Sequence, residues 1–243
     1  MSKTKKRIAM WSGPRNISTA LMRSFENRSD TVVLDEPFYA HYLYATGINH
    51  PGKNQILATQ KTNWEEIADN ITGSVPDNKS IWYQKHMAQH NLPGSDLSWA
   101  KKMTNCFLIR RPEEVIASYN KIFTIDNELL LGFKQQADLF KYILKNTGKI
   151  SLVINSETIL KNPRNALERL CSHLDIDFSE SMLKWPPGIR KSDGIWAKYW
   201  YKTVISSTGF VKYKKKEIMI DSKMKSLLKL CQPDYEYLKK YQI

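Results

Sequence analysis

Cysteine is scarce in this chain and is not arranged in pairs. The 243 residues include three cysteines, Cys106, Cys171 and Cys231, which lie far apart and form no CxxC motif. An odd number of cysteines cannot pair fully within one chain. Each stands in an apolar run, which is typical of reduced thiols in a reducing compartment. The cysteines therefore support neither a disulfide framework nor a metal site, and we expect no metal.

Long apolar runs are also missing. A helix that crosses a bilayer needs roughly 20 apolar residues, and no stretch of this sequence approaches that length. The basic residues 1–7 are followed by an apolar run at residues 8–11, which is far too short for a signal peptide. We therefore expect a cytoplasmic protein without a membrane span.

Acidic residues are outnumbered by basic ones. The chain has 37 Lys and Arg against 24 Asp and Glu, which gives a formal net charge of +13 at pH 7. A surplus of this size favours nucleic acid, an anionic membrane or a phosphate-rich small ligand. A nucleic-acid-binding protein is expected to interleave basic and aromatic residues on one surface or to carry a known binding module. The sequence contains no such module, so a small-molecule ligand is the expected partner.

Short β-rich runs alternate with longer helical patterns over most of the chain. The candidate strands are residues 8–11, 31–34, 80–83, 106–109 and 150–154. Helical patterns lie between them, as at residues 18–28 and 112–123. Strands separated by helices form βαβ units and a parallel sheet. We predict an α/β protein with three layers, α/β/α, around a parallel sheet of about five strands.

The chain is long enough for one large α/β domain. We expect a single domain over residues 1–243, with a basic tail at residues 1–6 and a C-terminal segment at residues 200–243 that ends in a helix. A well-marked helix follows the fifth candidate strand, because Asn162 can cap it and Pro163 suits its first position.

The first candidate binding element is the turn from the first strand into the first helix. Its polar and loop-forming residues are Pro14, Arg15, Asn16, Ile17, Ser18 and Thr19. The end of a strand in a parallel sheet is the usual ligand crevice, and the unpaired N–H groups of a helix N-terminus favour an anion. Arg15 adds a fixed positive charge. The ATP-type loop GxxxxGK[ST] is absent, because Ser18 and Thr19 stand where its second glycine and its lysine belong.

A second charged strand end lies further along the chain. The strand at residues 106–109 runs into Arg110, and the helix that follows carries Ser118. The two residues are about two helical turns apart by the ~3.6-residue period. An Arg and a Ser that converge on a phosphate would account for this pattern. The alternative is an Arg that pairs with Glu113 or Glu114 at the start of the helix.

Together the two segments resemble the PAPS-dependent sulfotransferases, a family with a P-loop NTPase-like fold that uses 3′-phosphoadenosine 5′-phosphosulfate (PAPS) as sulfuryl donor. In that family a Pro-Arg/Lys-Ser/Thr-Gly-Thr-Thr loop embraces the 5′-phosphosulfate, and residues 14–19 stand in its place. An Arg followed eight residues later by a Ser binds the 3′-phosphate, and Arg110 and Ser118 have this spacing. Ile17 replaces the loop glycine and is not expected to take a positive φ freely.

The resemblance implies further site residues. The segment 188–196 is similar to the late Arg-Lys-Gly segment that covers the nucleotide, so Arg190 and Lys191 are expected to bind the donor. Asp35, Glu36 and Pro37 resemble the Glu-Pro of many bacterial and carbohydrate members. The resemblance also implies that adenosine 3′,5′-bisphosphate (PAP) is the product and that no metal takes part.

Sulfuryl transfer needs positive charge near the leaving oxygen and, for a hydroxyl acceptor, a base. The third strand ends on Lys85, which suits the leaving oxygen, and on His86, which titrates near neutrality and suits the base. Because these two residues are adjacent, only one is expected to point into the site. Glu36 is the rival base, and His90 is a second histidine within reach of the same strand end. Arg15 is expected to contribute to catalysis as well as to binding.

Three functions remain open at this point. The leading hypothesis is a metal-independent, in-line sulfotransferase that acts on a hydroxyl or amine of a small acceptor. A kinase-like phosphotransferase would need the missing lysine and a Mg²⁺-binding hydroxyl after it. A catalytically degenerate relative would bind a nucleotide or polyanion without turnover.

Overall fold

A parallel sheet of five strands forms the centre of the protein. The computed structural model describes residues 5–215 and 217–243. The strands are β1 Lys6–Ser12, β2 Thr31–Asp35, β3 Ile81–Met87, β4 Thr104–Ile109 and β5 Leu152–Asn155. Their order in the sheet is β2-β3-β1-β4-β5, and every neighbouring pair is parallel. The predicted α/β class and five-stranded parallel sheet are confirmed.

Side chains alternate along the strands and fill both faces of the sheet. In β1, Ile8 and Met10 belong to the core on one face, whereas Ala9 and Trp11 belong to the core on the other. All four side chains are fully buried. A central parallel strand that is apolar on both faces has to be covered by helices on both sides.

Helices provide this cover. The α-helices of the described residues are α1 Ser18–Glu26, α2 Tyr39–Thr46, α3 Lys53–Thr59, α4 Trp64–Thr72, α5 Pro112–Tyr119, α6 Phe133–Thr147, α7 Ser156–Lys161, α8 Pro163–His173, α9 Ala197–Trp200, α10 Lys202–Ile205 and α11 Ser222–Lys239. Helices α1, α7 and α8 pack beside Ile8 and Met10, whereas α4, α5, α6 and α11 pack beside Trp11. The predicted three-layer arrangement is confirmed. None of these helices, over the described ranges, is both long and apolar enough to cross a membrane.

Local sequence signals account for several helix ends. The Asn162 side chain accepts the backbone N–H of Asn165 at 3.2 Å, and Pro163 is the first residue of α8. Helix α1 ends at Glu26, two residues short of its predicted end. The side chain of Asn27 donates instead to the carbonyl groups of residues 181 and 184, both at 2.7 Å, and ties the helix end to a neighbouring loop.

The C-terminal end of the chain lies against the sheet. Helix α11 packs against α5 and α6, and the backbone N–H of Ile243 donates to the carbonyl of Val153 at 3.0 Å. Of the predicted basic tail, residues 1–4 lie outside the described residues, and Lys6 is already the first residue of β1. The ammonium group of Lys6 pairs with Asp175 at 2.9 Å.

The strand order brings three loops to one edge of the sheet. Strand β1 lies between β3 and β4, so that Ser12 is opposite both Met87 and Leu108. Because all strands are parallel, their carboxyl ends point to the same edge, and the segments that follow β1, β3 and β4 meet there. This is the edge at which the sequence predicts the ligand crevice.

The segment after β1 passes very close to a neighbouring loop. A Cβ atom at Gly13 would lie 2.4 Å from the carbonyl oxygen of Leu131. This distance is far below van der Waals contact, and the atom opposite is a backbone oxygen that cannot rotate away. Gly13 is therefore required for space.

We predict that Gly13→Ala lowers the free energy of unfolding by about 3 kcal/mol, the upper part of the range for overpacking. The control is Gly94→Ala, where a Cβ meets open space and the only penalty is the left-handed backbone at φ +87°. That penalty is about 1 kcal/mol. Urea unfolding of both variants measures the difference, and equal losses would contradict the close contact at Gly13.

Candidate active site

The loop between β1 and α1 adopts an unusual backbone conformation. Arg15 and Ile17 both lie in the left-handed region, with φ of 62° and 59°. A β-branched residue rarely takes this conformation, which costs roughly 1–2 kcal/mol for a residue with a Cβ. Ile17 nevertheless occupies it, and its partly buried side chain packs against the core beside α1. Isoleucine therefore takes the positive φ at this position at a backbone cost rather than freely, and its side chain still packs against the core.

The two sequence motifs meet at this loop. The guanidinium of Arg15 donates to the hydroxyl of Ser118 at 3.1 Å, and that of Arg110 donates to the backbone carbonyl of Arg15 at 2.6 Å. Arg110 also pairs with Glu114 at 2.8 Å, so the alternative pairing from the sequence is present as well. Arg110 thus connects the start of α5 to the loop and faces both.

Positive charge accumulates at the loop without full compensation. Burial lowers the pKa of Arg15, and the positive charge of Arg110 lowers it further. Within residues 5–215 and 217–243, no carboxylate forms an ion pair with Arg15. Two adjacent guanidinium groups at a helix N-terminus are suited to a multivalent anion such as phosphate or sulfate.

A cavity of about 380 Å³ opens at this edge of the sheet. Ten residues predicted from the sequence line it: Pro14, Arg15, Asn16, Ile17, Ser18, Thr19, Glu36, Lys85, Arg110 and Ser118. They come from the ends of β1, β2, β3 and β4 and from the helices that follow. The structure therefore brings most of the predicted site together around one cavity.

The structure places His86 elsewhere. It is not among the residues that line the cavity, because it points to the face of β3 opposite Lys85. Its ring lies 4.4 Å from that of Trp11 and 5.5 Å from that of Trp99, and its Nε2 is 3.1 Å from Gln84 Oε1. Burial lowers the pKa of His86 to about 3. The catalytic role expected of His86 is not supported by this position, and only Lys85 of the adjacent pair reaches the site.

Arg190 and Lys191 are also outside the cavity lining. The guanidinium of Arg190 pairs with Glu26 at 2.6 Å, and its backbone N–H donates to Asp193 at 2.8 Å. Lys191 is exposed to solvent. In this structure the segment is fixed to the end of α1 rather than to the cavity, and the donor-binding role of both residues stays a prediction.

A buried ionic cluster forms one wall of the cavity. The ammonium of Lys85 contacts Asp35 at 2.9 Å, the carboxylate of Glu36, and the hydroxyl of Tyr201 at 2.6 Å. The Tyr201 hydroxyl in turn donates to Asp35 at 2.7 Å. The cluster holds two carboxylates and one ammonium, so it carries one net negative charge when all three are ionised.

The cluster shifts the pKa values of its members. For Lys85, burial acts to lower the pKa, but Asp35 and Glu36 outweigh burial and raise it, so Lys85 stays charged. For Glu36, burial raises the pKa, Lys85 opposes this, and the charge of Asp35 adds to it, with a net increase. Glu36 also lines the cavity. A carboxylate with a raised pKa that faces a cavity has the properties of a general base.

Several residues that line the cavity are not predicted as site residues by a sequence motif. Tyr201 contacts Lys85 although the two are 116 positions apart, and no local motif indicates this contact. His50, Gln89 and Trp200 also line the cavity. Aromatic residues are frequent just after Glu36 and near residues 196–201, and this composition is a signal that could have pointed to Tyr39, Trp200 and Tyr201. Among the described residues, no group of three or more His, Cys, Asp or Glu side chains is placed to hold a metal ion.

The fold and the site define an α/β protein whose cavity has two guanidinium groups on one side and a buried ionic cluster in another wall. The family model described as "Sulfotransferase domain" matches residues 6–241, nearly the whole chain. The chain therefore belongs to the sulfotransferase domain family.

Two curated relatives come from Arabidopsis thaliana. "Branched-chain-amino-acid aminotransferase-like protein 1" is 37% identical over 209 residues, which are 86% of this chain and 37% of that protein. "Branched-chain-amino-acid aminotransferase-like protein 2" is 34% identical over 233 residues, which are 96% of this chain and 41% of that protein. The chain thus spans about two fifths of the length of the second relative and somewhat less of the first.

Two solved structures share the fold. A sulfotransferase from Alicyclobacillus acidocaldarius has a TM-score of 0.54 at 12% identity, over 98% of this chain and 95% of that one. The sulfotransferase domain from the curacin biosynthetic pathway has a TM-score of 0.51 at 14% identity, over 95% of this chain and 99% of that one. At such low identity the likeness concerns the fold alone.

We predict that His86 affects stability through its protonation. The unfolded chain protonates this residue near its ordinary pKa of about 6.5, whereas the folded core holds the pKa at about 3. Stability is therefore full above about pH 6.5 and is lost as the pH falls towards the folded pKa. His86→Phe removes this contribution, so its unfolding free energy should fall less between pH 7 and pH 4, by up to about 3 kcal/mol.

Urea unfolding at a series of pH values measures this effect. The matched control is His173→Phe, because His173 is exposed on α8. The same pH dependence in both variants would contradict a core position for His86.

Proposed function

We propose that this chain transfers a sulfuryl group from PAPS to a hydroxyl or amine of a small acceptor. The observation that carries the proposal is the division of charge within one cavity. Arg15 and Arg110 make one part cationic, whereas Glu36 and Asp35 leave the wall around Lys85 with a net negative charge. Membership in the sulfotransferase domain family supports the same reading.

The cationic part suits the donor. Arg15 and the N–H groups at the start of α1 would hold the 5′-phosphosulfate, and Arg110 with Ser118 would hold the 3′-phosphate. Arg15 and Ser118 are already joined by a hydrogen bond of 3.1 Å, so both motifs act on one small volume. When bound, PAPS supplies the sulfuryl group and a phosphate leaving group.

The negative wall suits the acceptor. Glu36 is the group that would take the proton from the acceptor, because its carboxylate lines the cavity and burial raises its pKa. Lys85 stays protonated between Asp35 and Glu36 and supplies a fixed positive charge near the reacting groups. Tyr201 holds Lys85 and Asp35 in place through hydrogen bonds of 2.6 and 2.7 Å.

We expect calorimetric titration to detect binding of PAP without a metal, and weaker binding of ATP with Mg²⁺. Arg110→Ala should weaken PAP binding by about 100-fold, since a charge-assisted contact to a phosphate is worth roughly 1.5–3 kcal/mol and the loop also loses its anchor. The matched control is Arg111→Ala. Arg111 carries the same charge at the next position, but pairs with Glu113 and Glu114 and does not line the cavity.

Equal loss of affinity in the two variants would mean that only the overall charge matters. Absence of PAP binding to the wild type, or ATP binding that is as tight and that survives in Arg110→Ala, would overturn the proposal in favour of phosphotransfer or general polyanion binding.

We expect Glu36→Gln to lower the turnover number by about 10²–10⁴, the usual contribution of a general base, and to leave PAP binding within about twofold of the wild type. Because Glu36 acts as a carboxylate, the kcat/KM of the wild type should rise with pH as Glu36 loses its proton. Its raised pKa places this acidic limb above the range of an ordinary glutamate.

Transfer of label from radioactive PAPS to a mixed panel of small alcohols, sugars and amines measures both effects. Glu113→Gln is the control, because Glu113 pairs with Arg111 at 3.1 Å outside the cavity. If Glu36→Gln retains full turnover and the acidic limb, Glu36 is not the base.

A further inference from the structure

The guanidinium group of Arg110 is held at two of its three nitrogens. Nε donates to Oε2 of Glu114 at 2.8 Å, and Nη1 donates to the backbone carbonyl of Arg15 at 2.6 Å. The third nitrogen, Nη2, makes no hydrogen bond within residues 5–215 and 217–243 and remains accessible. Because the group is planar and rigid, the two contacts together determine the direction in which Nη2 points.

Glu114 provides one of these two contacts. The exposed fraction of its side chain is 7%. Its Oε2 accepts from Arg110, whereas its Oε1 accepts from Arg111 and from the hydroxyl of Tyr213, the latter at 2.9 Å. Burial acts to raise the pKa of Glu114, but these hydrogen bonds outweigh burial and lower it, so Glu114 stays ionised. Since the terminal torsion of a glutamate is broad, the contacts at Oε1 help to set the direction of Oε2.

Tyr213 brings a distant segment to this carboxylate. It lies 99 positions after Glu114, and residues 209–211, just before it, line the cavity. Two contacts hold Tyr213 without its hydroxyl. The backbone N–H donates to the carbonyl of Leu160 at 3.2 Å, and the ammonium of Lys161 lies 5.4 Å from the centre of the ring. The loss of the hydroxyl alone would therefore leave the segment attached.

The contacts form a continuous path from the late segment to the loop between β1 and α1. The Tyr213 hydroxyl donates to Glu114, Glu114 pairs with Arg110, and Arg110 donates to the carbonyl of Arg15. Tyr213 itself does not line the cavity. A residue that only attached the segment would affect every ligand of the cavity equally, whereas a residue that orients Arg110 would affect only the ligand group that Arg110 contacts.

We propose that Tyr213 is a positioning residue for recognition of the 3′-phosphate. Its hydroxyl fixes Glu114, Glu114 fixes the guanidinium of Arg110, and Nη2 of Arg110 is thereby held in place for the phosphate. This inference rests on the proposed function, which assigns Arg110 to the 3′-phosphate of the donor. It adds that the strength of this contact depends on a residue outside both sequence motifs.

Two nucleotides that differ only in the 3′-phosphate test the inference. They are PAP and adenosine 5′-monophosphate (AMP). Tyr213→Phe removes the hydroxyl and keeps the ring and the backbone contact. We expect this variant to bind PAP about tenfold more weakly than the wild type, the lower end of what a hydrogen bond to a charged group contributes, and to bind AMP within about twofold.

Calorimetric titration measures both affinities. The matched control is Tyr44→Phe, because Tyr44 is 69% exposed on α2 and lies outside the cavity lining. This control should keep both affinities within about twofold of the wild type, as is usual for a surface substitution.

A second variant tests whether Tyr213 acts through Glu114. In Glu114→Gln one carboxylate oxygen becomes an amide NH₂, so the side chain cannot accept from Arg110 and Tyr213 at different atoms. We expect PAP affinity to fall about tenfold or more. Addition of Tyr213→Phe to Glu114→Gln should then cause less than about twofold further loss, because the two residues belong to one path. Urea unfolding checks that each variant is folded, and the result with Tyr213→Phe decides alone if Glu114→Gln is not.

Each outcome decides for or against the inference. Equal losses of PAP and AMP affinity in Tyr213→Phe, or unchanged PAP affinity, would overturn it. Additive losses in the double variant would overturn the action through Glu114, and tighter PAP binding by Glu114→Gln would mean that the carboxylate mainly repels the phosphate. Failure of the wild type to bind PAP, or to prefer it to AMP, is a separate result that would overturn the proposed function and the inference with it.

Discussion

The buried ammonium group of Lys85 joins three parts of the chain that are distant in sequence. It lies at the end of β3 and contacts Asp35 and Glu36 at the end of β2, together with Tyr201 between α9 and α10. The backbone N–H of Gly194 donates to Asp35 at 3.1 Å and brings the late segment to the same point. Removal of one member of a buried ion pair typically costs about 3–5 kcal/mol, because the other charge is left uncompensated. The contacts of Lys85 therefore link the ends of β2 and β3 and the late segment energetically.

The charges of the site are arranged by the topology of the sheet. Strand β1 is central, with β4 on one side and β3 followed by β2 on the other. The guanidinium groups of Arg15 and Arg110 follow β1 and β4, whereas Asp35 and Glu36 lie at the end of β2 with Lys85 between them, so the order of the strands separates the arginines from the carboxylates across the cavity. A donor with several negative charges and an acceptor that must lose a proton have opposite requirements, and one cavity with two differently charged ends can meet both.

The sequence predicted what is local and periodic. Runs of β-branched and apolar residues marked all five strands, and Asn162 with Pro163 marked the start of α8. The loop at residues 14–19 and the pair Arg110 and Ser118 were predicted to lie at one cavity because each motif coincides with the end of a predicted strand and the start of a helix.

What the sequence could not provide was the direction of individual side chains. From the sequence alone, Lys85 and His86 are equally good candidates for the site. Because side chains alternate along a strand, Lys85 faces the cavity and His86 lies among aromatic residues of the core. Arg190 lies in a segment that resembles a nucleotide-covering segment, yet its guanidinium forms an ion pair with Glu26 at the end of α1 at 2.6 Å. Tyr201 and His50 depend on long-range packing of loops, for which no periodic signal exists. Ile17 takes a positive φ that β-branched residues rarely adopt, and the core contacts of its side chain depend on the rest of the fold.

The left-handed conformation of Ile17 also bears on how the loop meets a ligand. A glycine at this position would move among many conformations in the absence of ligand, and binding would have to restrict them. Isoleucine has far fewer states open to it, and its side chain is already packed, so the entropy of ordering the loop is lost when the protein folds rather than when the ligand arrives. The loop between β1 and α1 thereby loses conformational freedom on folding, at some cost in stability, and a ligand that binds there would meet a smaller entropic penalty.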